Sequence, residues 1–129
     1  MKQRNSRQKD GLLKEYFAGG TLASVGKYKD GKKTGAWKYY LRNGKLKATG
    51  AFKRGHFSGL WKWWRENGRL LQVGAFADNR QVGLWRRYYA NGKPLDIGTY
   101  VDGRKQGTWK SYSPDGTPKR TKDYRGSVA

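Results

Sequence analysis

The side chains able to do chemistry in this chain are one histidine, nine acids and 29 lysines or arginines, and their spacing decides which chemistry is open. His56 stands alone and cysteine is absent, so no His-based or thiolate metal site and no recurring acid/base pair can be assembled. Asp30, Asp78, Asp102 and Asp115 fall at turn positions, where hairpin geometry explains them. The other five acids are scattered and indicate no carboxylate pair. There is no phosphate-binding glycine loop of the P-loop type and no G-x-S-x-G elbow. The expectation is a protein without catalytic residues, metal ligands or cofactor, acting by binding.

What remains is cationic and aromatic. The net charge of +20 exceeds what solubility requires and points to an acidic or polyanionic partner. Leu, Ile, Val and Phe make up under a fifth of the chain, a share that with this charge would ordinarily mean disorder. Aromatic residues at 15%, including six Trp, oppose that reading, because each buried ring removes a large apolar area from water. The composition fits a thin fold held by rings. Residues 1–10 are polar and basic with no apolar leader segment, and no run of about 18 apolar residues occurs, which suggests a soluble, cytoplasmic protein.

The elements that must position these residues follow from a repeat. Trp37, Trp61, Trp85 and Trp109 are 24 residues apart, and Gly26, Gly50, Gly74 and Gly98 each precede an aromatic by two (Tyr28, Phe52, Phe76, Tyr100). The unit reads G-x-[YF]-x-D-G-x-x-x-G-x-W-[KR]-x-Y-x-x-N-G-x-L. Partial unit 11–25 is followed by units 26–49, 50–73, 74–97 and 98–121 and a fragment at 122–124, giving a repeat domain over 11–124. Residues 1–10 and 125–129 are expected to be disordered tails. Within a unit, Ala36–Leu41 reads as a strand and Asn43-Gly44 as a hairpin turn. A return strand over Lys45–Lys53 should close at a second turn between Gly55 and Gly59. Glycine recurs too often for helix. The fold class is therefore all-β, with tandem 24-residue hairpins forming an elongated, twisted, single-layer antiparallel sheet.

The pattern resembles the MORN repeat, most closely the bacterial variant whose units carry G-x-W and a Y-x-x-N-G-x-L tail. That resemblance implies a row of hairpins with interlocked aromatics and no globular core. Asn79 departs from it in place of the turn glycine, Pro94 and Pro118 in place of the leucine, and Gly19 in place of the asparagine, which puts local turn geometry at issue. Proteins of the variant are commonly labelled antitoxins or immunity proteins of the YwqK type. The resemblance thus implies neutralisation of a partner toxin by occlusion, and the charge adds that the partner is acidic.

Trp37, Trp61, Trp85 and Trp109, being fixed by the period, are expected to pack hairpin on hairpin. Alternation along a strand places the Trp column and the Tyr40 column on opposite faces, so both faces should be aromatic. A cation follows every Trp position, in Lys14, Lys38, Lys62, Arg86 and Lys110, on the Tyr40 face. Lys38, Lys62, Arg86 and Lys110 of this column, with Lys32, Lys33, Lys45 and Lys47 from the most basic unit, are the candidate polyanion-binding residues. Specificity for a protein partner should lie in columns that vary. The positions two and four after the Trp do so, and Tyr39, Trp63, Arg65, Arg87 and Tyr89 are the candidate partner-binding residues, since Trp, Tyr and Arg are enriched in binding hot spots. The alternatives to an acidic toxin or effector are an anionic lipid surface and, less favoured, nonspecific nucleic-acid binding.

Overall fold

The computed structural model describes residues 10–125. The expectations for residues 1–9 and 126–129 lie outside the described residues. Ten strands follow one another, β1 (Gly11–Tyr16), β2 (Leu22–Lys29), β3 (Lys32–Tyr40), β4 (Leu46–Lys53), β5 (His56–Trp64), β6 (Leu70–Ala77), β7 (Arg80–Tyr88), β8 (Pro94–Val101), β9 (Arg104–Tyr112) and β10 (Pro118–Tyr124). Each pairs antiparallel with its sequence neighbours, so strand order equals chain order in one open ten-stranded sheet. The all-β, single-layer hairpin array expected from the repeat is the observed fold.

Two details differ from the sequence expectation. The Trp-bearing strands start four residues earlier than Ala36 would suggest, at Lys32 in β3, and the second turn is the two-residue Arg54-Gly55 rather than a loop from Gly55 to Gly59. Gly59 instead sits inside β5 with φ of 72°. There the register jumps between Thr49 and Ala51, so that Gly59, Leu60 and Trp61 oppose the single residue Gly50. This bulge recurs in each unit and re-aims the Trp. A glycine was legible at this position; that it bends a strand rather than ends one was not.

The tight turns place both central residues at positive φ, as in Asp30-Gly31 (53° and 78°) and Arg54-Gly55 (52° and 82°). Asn79 takes the same conformation at 70°, and its Oδ1 accepts the Phe57 N–H at 2.6 Å, so the turn survives the loss of glycine. At the opposite edge, Gly44 donates to the Leu41 carbonyl at 2.9 Å and Leu41 to that of Lys45 at 2.7 Å, a three-residue loop ending in a left-handed glycine. Pro94 and Pro118 are tolerated because each is the first residue of its strand.

The core is a line of rings on one face. Trp37 and Trp61 are 1% exposed, and Trp85 and Trp109 are also buried. Each indole lies flat over the glycine of the preceding strand and donates Nε1–H to a carbonyl beside it, as from Trp61 to Ala51 at 3.0 Å. A Cβ on Gly26, Gly50, Gly74 or Gly98 would come within 2.0 Å of that ring, so this column is glycine for clearance and not for backbone freedom. Tyr28, Phe52, Phe57, Phe76 and Tyr100 each meet an indole of the column edge-on at 4.8–5.7 Å, and Phe52 and Tyr100 touch two successive indoles. Aromatic columns were expected on both faces. Among the described residues the ring–ring contacts run along the Trp face, where the glycine clearance lets an indole lie down, and none involves the Tyr40 column.

Candidate functional site

Two rows of side chains cross the whole sheet, one per face. The register runs from Lys14 through Val25, Lys38, Thr49, Lys62, Val73, Arg86, Ile97 and Lys110 to Thr121, each residue directly opposite the next. Five cations thus alternate with five β-branched residues on the face away from the indoles. Neighbouring cations are two strands apart, roughly 9–10 Å. All five are exposed, while Val25, Thr49, Val73 and Ile97 between them are half-buried. Among the described residues none of these cations has a carboxylate or other hydrogen-bonding partner. Alternation along the strand puts the Tyr column on this face, and Tyr88 and Tyr112 line a shallow recess with Arg86 and Ile97 that Pro94, Arg87 and Asp96 complete.

The second row lies on the indole face and contains three of the candidate partner residues. It reads Glu15, Ser24, Tyr39, Ala48, Trp63, Gln72, Arg87, Asp96, Ser111, Arg120. Tyr39 stacks on Trp37 at 5.9 Å, and Trp63 bridges Trp61 and Trp85 at 5.8 Å each, so both rings extend the core while keeping one side open. Arg87 is locked by buried Asp96 through Nε at 2.9 Å and Nη2 at 2.6 Å. The hydrogen bond to Asp96 raises the Arg87 pKa further above its already high ordinary value, so the guanidinium stays charged. Asp96 had been counted among the scattered acids; its position opposite Arg87 depends on strand register, which spacing along the chain does not give.

Arg65 and Tyr89 are not on this row. Their column follows the last strand residue and lies in the loops, where the register shift at Tyr39/Tyr40 ends the simple alternation that would have joined them to Trp63. Arg65 donates Nη2–H to the Tyr88 carbonyl at 2.8 Å, and Tyr89 its hydroxyl to that of Tyr112 at 2.6 Å, each tying its loop to the next unit. Asn67 and Asn91 do likewise through their amides, to Ala90 and Pro114.

The candidate polyanion-binding residues also divide. Lys38, Lys62, Arg86 and Lys110 belong to the cation row. Lys33 is on the other face, its ammonium 4.8 Å from the centre of the Trp37 ring and 2.9 Å from the Tyr39 hydroxyl. Lys45 sits in the Asn-Gly loop and reaches the Glu66 carbonyl at 3.5 Å, and Lys47 is exposed on β4. Lys32 joins Lys29, Lys53 and Arg54 around a recess at the tight-turn edge, where Asp30 is the one acid. Lys53 and Arg54 come from the next unit and were missed, since only the turn brings them beside Lys32. His56 is exposed at the start of β5, 3.2 Å from Asp78.

The description "MORN repeat variant" matches residues 9–30, 33–54, 81–102 and 105–125, each a hairpin closed by the loop-side turn. The unmatched hairpin β5–β6 has the same strands and the same bulge. No curated protein matches the chain. Among solved structures, the crystal structure of TarM is similar over 78% of this chain and 20% of that one, at 10% identity and a TM-score of 0.44. This chain therefore spans a small part of that protein's length. The family matches cover more than half of the sequence, and with the hairpins now in view the chain belongs to the MORN repeat variant family.

Proposed function

We propose that this protein is a non-enzymatic binding module that takes an acidic surface of a partner protein along its cation row, in the manner of an antitoxin or immunity protein that works by occlusion. The observation that carries the reading is the row itself, five exposed cations, unpaired among the described residues, separated by β-branched residues on one sheet face. Such a surface alternates charge with apolar contact and is flanked by Tyr40, Trp64, Tyr88 and Tyr112, aromatic residues of the kind enriched in protein interfaces. Its pitch suits spaced carboxylates better than a nucleic-acid strand. Along the axis of a B-form duplex each strand carries one phosphate per about 3.4 Å, so a row of cations about 10 Å apart laid along that axis would meet only one phosphate in three of a strand.

The test uses the full chain as bait in host lysate beside the variant Lys38→Glu/Lys62→Glu/Arg86→Glu. An acidic protein retained stoichiometrically by the wild type and lost from the variant supports the proposal, as does rescue from that protein's toxicity on co-expression. Equal retention by both chains overturns it. A second reading, binding of an anionic lipid headgroup, is favoured by the recess at the tight-turn edge, with Lys29, Lys32, Lys53 and Arg54 around it. Vesicles with and without phosphatidylserine separate the two, because lipid binding should respond to Lys32→Glu/Lys53→Glu and the protein complex to the row variant.

A further inference from the structure

The indole face changes character halfway along the sheet. Between Trp61 and Trp85 the space is filled, since Trp63 stacks on both rings at 5.8 Å and Phe57 and Phe76 pack beside it at 4.9 Å from each other. One unit further, Gln81 stands where Phe57 was and Arg87 where Trp63 was. The space between Trp85 and Trp109 is consequently open, a recess of ≈ 250 Å³ floored by those two indoles and Tyr100. Its polar walls come from Gln72, Gln81, Arg87, Asp96 and Lys105.

The donors there are prepared but unused. Asp96 takes Nε–H and Nη2–H of Arg87, which fixes the guanidinium plane and leaves Nη1 with both its protons free for a ligand. Lys105 holds its ammonium 4.6 Å from the Trp109 ring centre and 5.4 Å from that of Tyr124, without a carboxylate partner among the described residues. The side-chain amides of Gln72 and Gln81 likewise make no hydrogen bond to protein among the described residues. Charge and size then define the ligand. Arg87 and Asp96 cancel, so Lys105 leaves one net positive charge, which suits a monoanion better than a phosphate dianion. The volume lies just below the usual range for sites of drug-sized ligands and admits an amino-acid-sized group. The indole and phenol floor offers contact to a short carbon chain.

We propose that this recess binds a carboxylate carried on a short carbon body, either an acidic side chain of a peptide or a free monocarboxylate. The site is on the face opposite the cation row and does not depend on the function proposed for that row. Its test is an NMR titration of the full chain, following the indole N–H signals of Trp85 and Trp109 and the amide NH₂ signals of Gln72 and Gln81. The probes are a capped glutamyl tripeptide, its glutaminyl counterpart, sodium butyrate and inorganic phosphate. The glutamyl peptide or butyrate should shift these signals saturably, and whichever binds more tightly identifies the source of the carboxylate.

Lys105→Gln should weaken binding about tenfold by removing one charge-assisted contact. Gln81→Phe, which restores the ring present one unit earlier, should abolish it while circular dichroism stays unchanged. Lys38→Glu/Lys62→Glu/Arg86→Glu should leave this titration intact even if it destroys a complex on the other face. Absence of saturable shifts, equal binding of the glutaminyl peptide, tighter binding of phosphate, or undiminished binding by Gln81→Phe would each overturn the proposal.

Discussion

Replacing Gly50 with alanine would put a methyl carbon 1.9 Å from Cδ2 and 2.1 Å from Cε2 of Trp61. Ordinary carbon contact needs about 3.5–4 Å, so the indole must lift by roughly 1.5–2 Å. It has nowhere free to go, since Trp61 is 1% exposed and lies 5.2 Å from Phe52 and 4.8 Å from Phe57 between ring centres. Lifting it breaks the Nε1–H bond to the Ala51 carbonyl, a loss of about 1 kcal/mol. Overpacking strain adds about 1–3 kcal/mol and each disturbed ring pair about 0.5–1.5 kcal/mol. With the two named ring pairs the expected cost is about 3–7 kcal/mol, at or above the top of the usual range for single substitutions. Gly59→Ala is the control, the same chemical change at a φ of 72° with open space around the new methyl. It should cost only the left-handed penalty of about 1–2 kcal/mol. Urea unfolding followed by far-ultraviolet circular dichroism measures both. In a Trp61→Ala background the Gly50→Ala penalty should nearly vanish, because the atom it collides with is gone. If Gly50→Ala costs no more than Gly59→Ala, or costs as much without the indole as with it, ring clearance is not why the column is glycine.

Three further outcomes follow from the same geometry. Trp63→Ala should lower stability by about 2–3 kcal/mol, less than for a fully buried Trp, because one side of its ring is open; a thermal midpoint equal to wild type would show that the bridge between Trp61 and Trp85 contributes nothing. Asn67→Asp keeps the acceptor for the Arg69 N–H but loses the donor to the Ala90 carbonyl, and should cost about 1 kcal/mol in urea. At the corresponding position of the last full unit the chain carries Asp115, and Asp115→Asn should lower stability at neutral pH in the same assay, because a neutral amide oxygen replaces the carboxylate that accepts both Thr117 bonds.

The Asp115 carboxyl is held below the usual aspartate value by the Thr117 backbone N–H at 2.9 Å and then by its hydroxyl at 2.7 Å. A folded-state value lowered in this way contributes stability above the unfolded value, lost as pH falls through the folded one. NMR titration of Asp115 should find its midpoint below that of an unfolded-chain aspartate. Thr117→Val should move it part of the way back, since the larger, backbone cause remains; an unmoved midpoint would exclude the hydroxyl.

The 24-residue period was sufficient to read the architecture because each unit is its own hairpin and the strand pairing, the turns and the Trp-over-Gly contact repeat with it. Trp37 and its equivalents announce the core, and Asn43-Gly44 announces a turn, from local chemistry alone. The cation row was legible for the same reason, since Lys38, Lys62, Arg86 and Lys110 keep one position relative to a Trp and alternation fixes their face. Three things were decided only in three dimensions. Gly59 reads as a turn residue in sequence and proves to be a bulge, because what distinguishes them is how many residues oppose Gly50 on the next strand. Arg65 and Tyr89 look like neighbours of Trp63 until the strand ends one residue sooner. The pairing of Arg87 with buried Asp96, and the recess it shares with Lys105, needs two register relations at once. Period along a chain determines which residues recur; which of them meet across strands is set by register and by bulges, and those are properties of pairs of strands rather than of either one.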